Sequence, residues 1–188
     1  MTVLTTANQL TLLRMLLIPA FVILVLYGQI GWALMVFVTA GATDGLDGLI
    51  ARRSGQKTQL GAWLDPMADK LLLVTTFIVL SIPGLHLANP LPVWLTVMVI
   101  SRDVVIVLTV TIVNLAIGPR TFRPSLYGKM ATATYILTAV VAMLFNYLGK
   151  RSTVVDLFVY ASLAITVISS LHYIWHAARI IEEPRVGE

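Results

Sequence analysis

Residues 15–43 read MLLIPAFVILVLYGQIGWALMVFVTAGAT, a stretch of 29 positions without an Asp, Glu, Lys or Arg. A short break, Gly28-Gln29-Ile30-Gly31, divides it into two apolar runs. Glycines at such a break are typical of a turn between two helices. Because a membrane-spanning helix needs about 20 mostly apolar residues, the stretch and its flanks predict an antiparallel pair of membrane-spanning helices.

The rest of the chain repeats this pattern. Four further charge-free stretches cover residues 71–101, 104–119, 130–149 and 157–178. Only 12% of the 188 residues are charged, whereas soluble domains carry about 25%. The composition therefore excludes a secreted disulfide scaffold, a cytosolic enzyme and a DNA-binding protein, and we expect no nucleic-acid partner. The sequence contains no cysteine, so it offers no thiol chemistry.

These stretches predict an all-α polytopic membrane protein with six transmembrane helices in one membrane-embedded catalytic domain over residues 1–188. The predicted bounds are 10–28, 31–53, 61–82, 91–116, 126–147 and 155–178. Six spans leave no room for a second folded domain. Since Arg14 heads the first span and no small-residue cleavage pattern follows it, we interpret this span as a retained helix rather than a signal peptide.

Basic residues predict the orientation of the spans. With the N-terminus in the cytoplasm, the cytoplasmic connections collect nine Lys and Arg residues and the opposite side collects two. Cytoplasmic loops carry such an excess, so we expect both termini in the cytoplasm. The nine are Arg14, Arg52, Arg53, Lys57, Arg120, Arg123, Lys129, Arg179 and Arg185, and the two are Lys150 and Arg151.

Four acidic residues, Asp44, Asp47, Asp65 and Asp69, form an acid quartet where the second span ends and the third begins. Spacings of three and four put the members of each pair on one helical face. Carboxylates that converge in this way oppose one another's ionisation. Bound divalent cations compensate the repulsion between the carboxylates, and oxygen ligands suit Mg²⁺ or Mn²⁺. The quartet therefore predicts two divalent ions, an arrangement that supports phosphoryl transfer.

Small and basic residues accompany the quartet. Gly45, Gly48 and Gly61 leave space for a ligand or a neighbouring helix, and Arg52 offers a bidentate partner for phosphate. The alternatives are salt bridges or a water-filled ion path. A small cation channel or transporter would place its acids along the whole path, whereas these lie at one end of their spans, so we favour an enzyme.

The same window matches the motif D-x2-D-G-x2-A-R-x8-G-x3-D-x3-D and thereby resembles the CDP-alcohol phosphatidyltransferases. The resemblance implies transfer of a phosphatidyl group from CDP-diacylglycerol to an alcohol, with release of CMP, in phospholipid biosynthesis. It also implies an all-helical homodimer whose polar cavity opens to the cytoplasm. Outside the window the resemblance includes Asn8, Thr11, Arg14, Lys70 and Gly128-Lys129.

The resemblance further implies roles for individual residues of the window. Asp44, Asp47 and Asp65 would be metal ligands, and Asp69 would be the catalytic general base beside the metals. The CDP-binding residues would be Gly48, Arg52 and Gly61. A general base is needed because an alcohol has a very high pKa and must lose its proton as the new P–O bond forms.

The choice of acceptor depends on residues outside the window. Arg102 and Asp103 lie in the middle of the fourth span, where they either neutralise each other or hold substrate. Basic groups on the cytoplasmic side favour an anionic acceptor over inositol, serine or choline alone. The predicted acceptor or phosphate-binding residues are Arg14, Arg102, Arg120, Arg123 and Lys129.

Within the family, residues 64–70 (LDPMADK) are similar to the branch that makes phosphatidylglycerophosphate or cardiolipin. Residues 100–104 (ISRDV) are similar to the mitochondrial type of cardiolipin synthase. We therefore favour phosphatidylglycerol as acceptor, with glycerol 3-phosphate as the alternative. We expect a bacterial inner membrane as the location. His172 and His176 have metal-ligand spacing, but their aromatic surroundings favour an interfacial belt.

Overall fold

The computed structural model describes the backbone of residues 6–54, 59–117 and 125–182. Among these, it describes the side chains of residues 11–43, 67–112, 115 and 125–175. The described chain is helical apart from its connections, which confirms the predicted all-α class.

Six α-helices follow one another along the described chain. Every bound lies within four residues of the sequence-based prediction, because the length of an apolar run and the glycines at its ends are local signals. The helices are α1 (Thr6–Leu26), α2 (Ile30–Ser54), α3 (Gln59–Leu80), α4 (Val93–Ile117), α5 (Leu126–Tyr147) and α6 (Thr153–Glu182).

Three segments of the described helices are long and apolar enough to cross a membrane: Val93–Ile112, Leu126–Tyr147 and Thr153–Trp175. Thr11–Leu26 and Ile30–Thr43 are apolar but shorter. The outward faces of the three long segments carry large exposed apolar side chains, which a lipid solvent accommodates. The chain is an integral membrane protein, and spanning by all six helices stays a prediction.

Two of the predicted breaks are glycine-terminated helix ends. Gly28 follows α1 with φ +72°, and Gly149 follows α5 with φ +63°. At the first end, the N–H of Gly28 donates to the Val25 carbonyl at 3.0 Å and the N–H of Gln29 to the Leu24 carbonyl at 2.8 Å. This paired pattern is the Schellman motif, which favours glycine because only glycine adopts the left-handed conformation without a Cβ penalty.

The chain divides into two compact units. The first comprises Met1–Leu91 and Ala139–Ser152. In it, α1 packs against α2 and α3, around a core that includes the fully buried rings of Phe21 and Phe77. This packing brings the helices of the predicted acid quartet onto one common support. Organisation as a single catalytic domain stays a prediction.

Reciprocal hydrogen bonds of Asn89 and Asn146 form an asparagine clasp in the first unit. The side chain of Asn146 accepts from the backbone N–H of Asn89 at 2.6 Å and donates to its carbonyl at 3.1 Å. The side chain of Asn89 donates to the Lys150 carbonyl at 2.7 Å and accepts from the Ser152 N–H at 2.9 Å. The clasp satisfies buried backbone groups where the α3–α4 loop meets the α5–α6 turn.

The second unit comprises Pro92–Thr138 and Thr153–Glu188. Here α4 packs against α6, and buried hydroxyls join α5 to α6. Thr138 and Ser162 lie 2.8 Å apart between their hydroxyl oxygens, and Tyr135 and Thr166 lie 2.6 Å apart. Hydroxyl side chains of this kind hydrogen-bond between helices in lipid, and the small Thr138–Ser162 pair also allows close approach.

Candidate active site

The backbone places the acid quartet on two contacting helices. Asp44 and Asp47 lie in the second half of α2, and Asp65 and Asp69 lie in the first half of α3. Both segments are α-helical, so the members of each pair share a helical face as predicted. The side chains of Asp44, Asp47 and Asp65 lie outside the described residues, as do those of Gly48, Arg52 and Gly61. Their assigned roles stay predictions.

Asp69 is the member of the quartet whose side chain the structure describes. Its Oδ1 accepts a hydrogen bond from Nη1 of Arg14, and the contact is an ion pair between α3 and α1. The Arg14 side chain is 1% exposed, whereas that of Asp69 is 43% exposed. The pair therefore supplies the counter-charge that a buried guanidinium requires.

The observed partner of Arg14 differs from the predicted one. The sequence predicts that Arg14 binds the phosphate of the acceptor, whereas the structure places its guanidinium against the predicted general base. A contact between Arg14 and the acceptor stays a prediction. The ion pair was not predicted, because residues on separate helices leave no periodic signal in a sequence.

A second polar cluster surrounds Arg102 on α4, in the second unit. Nη1 of Arg102 donates to Oδ1 of Asp103 at 2.7 Å. Its Nε and Nη2 both donate to Oγ of Ser169 on α6, at 3.1 and 2.8 Å. The Arg102 side chain is 9% exposed and that of Asp103 is 22% exposed. The structure thus shows the neutralising ion pair that the sequence left open, and adds Ser169, which was not predicted.

The first turn of α5 lies beside the Arg102 guanidinium. Ser125 precedes this helix, and its Oγ accepts a hydrogen bond from the Gly128 N–H at 3.0 Å, which is an N-terminal cap. A Cβ built on Gly128 would lie 3.3 Å from Nη2 of Arg102. A glycine therefore lets the guanidinium approach the helix. A helix N-terminus favours an anion, and the guanidinium beside it, although paired with Asp103, has further N–H groups to donate to one.

The other predicted phosphate ligands are close to the start of α5 in the sequence. Lys129 is exposed in the first turn of α5, and its backbone N–H donates to the Ser125 carbonyl at 3.2 Å. Arg120 and Arg123 lie outside the described residues. The structure therefore brings Arg102 to the helix turn that carries Lys129, and the contributions of Arg120 and Arg123 stay predictions.

Comparison with protein families shows that a known family matches most of this chain. The sequence profile of the CDP-alcohol phosphatidyltransferases matches residues 4–171. This chain belongs to that family. In this transferase, the matched region extends from α1 through α5 and over most of α6. It includes the acid quartet and the Arg102 cluster.

Individual relatives of the transferase have related names. A "probable phosphatidylglycerophosphate synthase" of Mycobacterium tuberculosis is 33% identical over 183 residues, which are 93% of this chain and 82% of the relative. A cardiolipin synthase (CMP-forming) of Rattus norvegicus is 33% identical over 194 residues, 93% of this chain and 62% of the relative. The human cardiolipin synthase (CMP-forming) is 35% identical over 162 residues, 76% of this chain and 52% of the relative.

The donor set of the transferase fits the divalent-metal dependence that is general in the family. Its candidate ligands are four carboxylates at helical spacings on two contacting helices. Carboxylates are hard oxygen ligands, which Mg²⁺ and Mn²⁺ prefer. Among the described side chains, no three His, Cys, Asp or Glu residues form another group that could hold a metal.

The histidine pair of α6 has one described member. The His172 ring lies 4.7 Å from that of Tyr127 and 6.2 Å from that of Trp175, measured between ring centroids. His176 lies outside the described side chains. The aromatic neighbours support the interpretation of His172 as part of an interfacial belt.

Proposed function

We propose that this transferase moves the phosphatidyl group of CDP-diacylglycerol onto phosphatidylglycerol, releasing CMP and forming cardiolipin. The observation that carries the choice of a phosphorylated acceptor is the Arg102 guanidinium, whose side chain is 9% exposed, beside Gly128 at the N-terminus of α5. This arrangement suits an acceptor that carries a phosphate. Inositol, serine and choline lack one. The names of the rat and human relatives support the same acceptor.

Glycerol 3-phosphate is the second candidate acceptor, and its product would be phosphatidylglycerophosphate. The mycobacterial relative named as a probable phosphatidylglycerophosphate synthase aligns with 93% of this chain. Both acceptors present a phosphate ester and a free hydroxyl on one glycerol unit. The Arg102 cluster therefore serves either of them, and a direct assay decides between them.

In the proposed reaction, Asp69 takes the proton of the acceptor hydroxyl. The hydroxyl oxygen bonds to the phosphatidyl phosphorus, and the bond from that phosphorus to the CMP oxygen breaks. Arg14 binds Oδ1 of Asp69 and holds the carboxylate in place, and 43% of the Asp69 side chain is exposed. A general base of this kind contributes about 10² to 10⁴-fold in rate.

We also propose two divalent ions, Mg²⁺ or Mn²⁺, held by Asp44, Asp47, Asp65 and Asp69. When bound, they offset charge on the diphosphate and improve CMP as a leaving group. Gly48, Arg52 and Gly61 bind the cytidine diphosphate in this proposal. The support for it is the donor chemistry and the helical spacing of the four acids.

We propose that all six helices cross a bacterial inner membrane, with both termini and the active site on the cytoplasmic side, and that the transferase is a homodimer. The positive charge of the alternate connections supports this orientation. Single cysteines in place of Lys150 and Arg179 test it, because the chain has no other cysteine. A membrane-impermeant thiol reagent applied from outside should label the first and not the second.

A CMP-release assay with CDP-diacylglycerol tests the proposed function. Phosphatidylglycerol, glycerol 3-phosphate, inositol phosphate and unphosphorylated glycerol are compared as acceptors, with Mg²⁺ and with Mn²⁺. Turnover with phosphatidylglycerol supports the leading proposal, and turnover with glycerol 3-phosphate alone supports the second. No CMP release with either acceptor and either metal would overturn both. Metal-dependent cation flux in liposomes without CMP release would indicate a transporter.

A further inference from the structure

We propose that Ser169 and Gly128 are positioning residues that hold the Arg102 guanidinium at the N-terminus of α5 and thereby set the affinity for the acceptor's phosphate. The inference rests on the proposed function, in which Arg102 binds that phosphate. Neither residue touches the reacting atoms. Both act through Arg102, one from α6 and one from α5.

Ser169 fixes the plane of the guanidinium. Its single oxygen accepts both Nε–H and Nη2–H of Arg102, at 3.1 and 2.8 Å. Because the guanidinium is rigid and planar, two contacts on its Nε–Nη2 edge restrict the rotation of the whole group. Ser169 itself is 1% exposed, so water does not replace its hydroxyl readily. The contact therefore orients the remaining edge of the guanidinium.

That remaining edge retains donors for an anion. A guanidinium has five N–H groups, and described residues take three of those of Arg102, two at Ser169 and one at Asp103. One N–H therefore remains on Nη1 and one on Nη2, and each can donate to a phosphate oxygen. Nη2 is also the atom that approaches Gly128.

Gly128 sets how closely the guanidinium approaches α5. A Cβ there would lie 3.3 Å from Nη2 of Arg102 and 3.2 Å from Oγ of Ser125. Both distances are tighter than ordinary contact, so an alanine would displace the guanidinium by a few tenths of an ångström. Glycine is a poorer helix former than alanine. The glycine thus weakens the helix locally and permits the anion site.

The kinetic test compares Ser169→Ala with Ser169→Thr, using the acceptor that supports turnover. We expect Ser169→Ala to raise the acceptor KM by about tenfold, the effect of one lost hydrogen bond to a charged group. The KM for CDP-diacylglycerol should change by less than about twofold, and Ser169→Thr, which keeps the hydroxyl, should restore the acceptor KM. A uniform loss of kcat that threonine does not rescue would indicate a merely structural role.

Ser162→Ala is the matched control. Ser162 lies on the same helix, two turns earlier on the same face, and it is 0% exposed. Its hydroxyl contacts Thr138 rather than Arg102. The control should lower stability without changing the acceptor KM. An equal rise of the acceptor KM in both variants would overturn the proposal.

Gly128→Ala provides an independent test, in which the acceptor KM should change without a matching loss of thermal stability. Alanine favours the helix but crowds the Ser125 cap, so thermal stability should change little, whereas the acceptor KM should rise about threefold or more as the guanidinium moves. Gly41→Ala is its control, since a Cβ at Gly41 in α2 would meet nothing within 4 Å. An unchanged acceptor KM in Gly128→Ala would contradict the role of Gly128.

A binding measurement tests this inference separately from the proposed function. Calorimetry measures glycerol 3-phosphate binding to the whole protein without CDP-diacylglycerol, so it needs no turnover. Weaker binding in Ser169→Ala but not in Ser162→Ala supports the inference even if the CMP-release assay fails. Equal acceptor KM values and equal binding in wild type and Ser169→Ala overturn the inference even if that assay succeeds.

Discussion

The guanidinium of Arg14 on α1 and the carboxylate of Asp69 on α3 form an ion pair across 55 positions of sequence. Arg14 is almost wholly buried, and Asp69 is the partner that remains partly exposed. A buried charge without its partner is strongly unfavourable. The pair therefore has a structural function, which is to neutralise Arg14, and a proposed catalytic function, which is to hold the general base.

Asp69→Asn separates these two functions. Asparagine keeps the size and one oxygen acceptor for Arg14 but cannot take the proton of an alcohol. We expect a folded protein that still binds CDP-diacylglycerol and whose kcat falls by about 10² to 10⁴-fold. Single-turnover CMP release together with equilibrium binding of the CDP-lipid measures both properties.

Asp156→Asn is the control for that substitution. Asp156 lies in the first turn of α6 and is exposed, outside the proposed site. Its neutralisation should leave kcat near that of the wild type, with at most a small loss of stability from the helix terminus. Turnover of Asp69→Asn within about threefold of the wild type would remove Asp69 from the proposed chemistry.

A double-mutant cycle measures the energy of the ion pair. We expect Arg14→Ala to lower the free energy of unfolding by about 2–4 kcal/mol, because it removes a buried side chain together with its ion pair to Asp69. In the Asp69→Ala background, the same substitution should cost about 1–2 kcal/mol less. Denaturant titration in detergent micelles gives the four values. Strict additivity would show that the contact contributes no coupling energy.

Removal of metal tests the acid quartet. Since the candidate ligands are carboxylates, EDTA should abolish CMP release, and Mg²⁺ or Mn²⁺ should restore it. Asp44→Asn should raise the Mg²⁺ concentration needed for half-maximal rate by at least about tenfold, whereas Asp156→Asn should not change it. Activity that survives exhaustive chelation would contradict the metal proposal.

The asparagine clasp predicts a change in stability without a change in chemistry. Asn146→Leu keeps the number of side-chain heavy atoms but leaves the buried N–H and carbonyl of Asn89 without their side-chain partner. We expect the free energy of unfolding to fall by about 2–4 kcal/mol, while kcat per folded molecule stays within about twofold. Gln29→Leu, the same kind of substitution at an exposed position, should cost much less. Equal losses in the two variants would show that the clasp has no special importance.

Much of this architecture could be predicted from the sequence. The six helices lie where apolar runs and turn residues place them, and every bound agrees within four residues. The pairing of Asp44 with Asp47 and of Asp65 with Asp69 also follows, because residues three or four apart share a face of any α-helix. The family match rests on the same fixed spacing.

Contacts between helices could not be predicted in this way. The hydroxyl of Ser169 lies on Arg102 across 67 positions of sequence, and a single serine in an apolar helix gives no indication of its partner. Gly128 was noted only as part of a resemblance, and its close approach to Arg102 requires the packed helices. The position of Arg14 against Asp69 likewise depends on how α1 meets α3.

The sequence by itself determined the helical class, the helix bounds, the positions of the acids and the family, because each of these depends on local composition or on short fixed spacings. Only the tertiary structure decided which charged groups meet. Ion pairs and hydrogen bonds between distant helices depend on the rotation and depth of each helix, and those are set by the packing of many side chains at once.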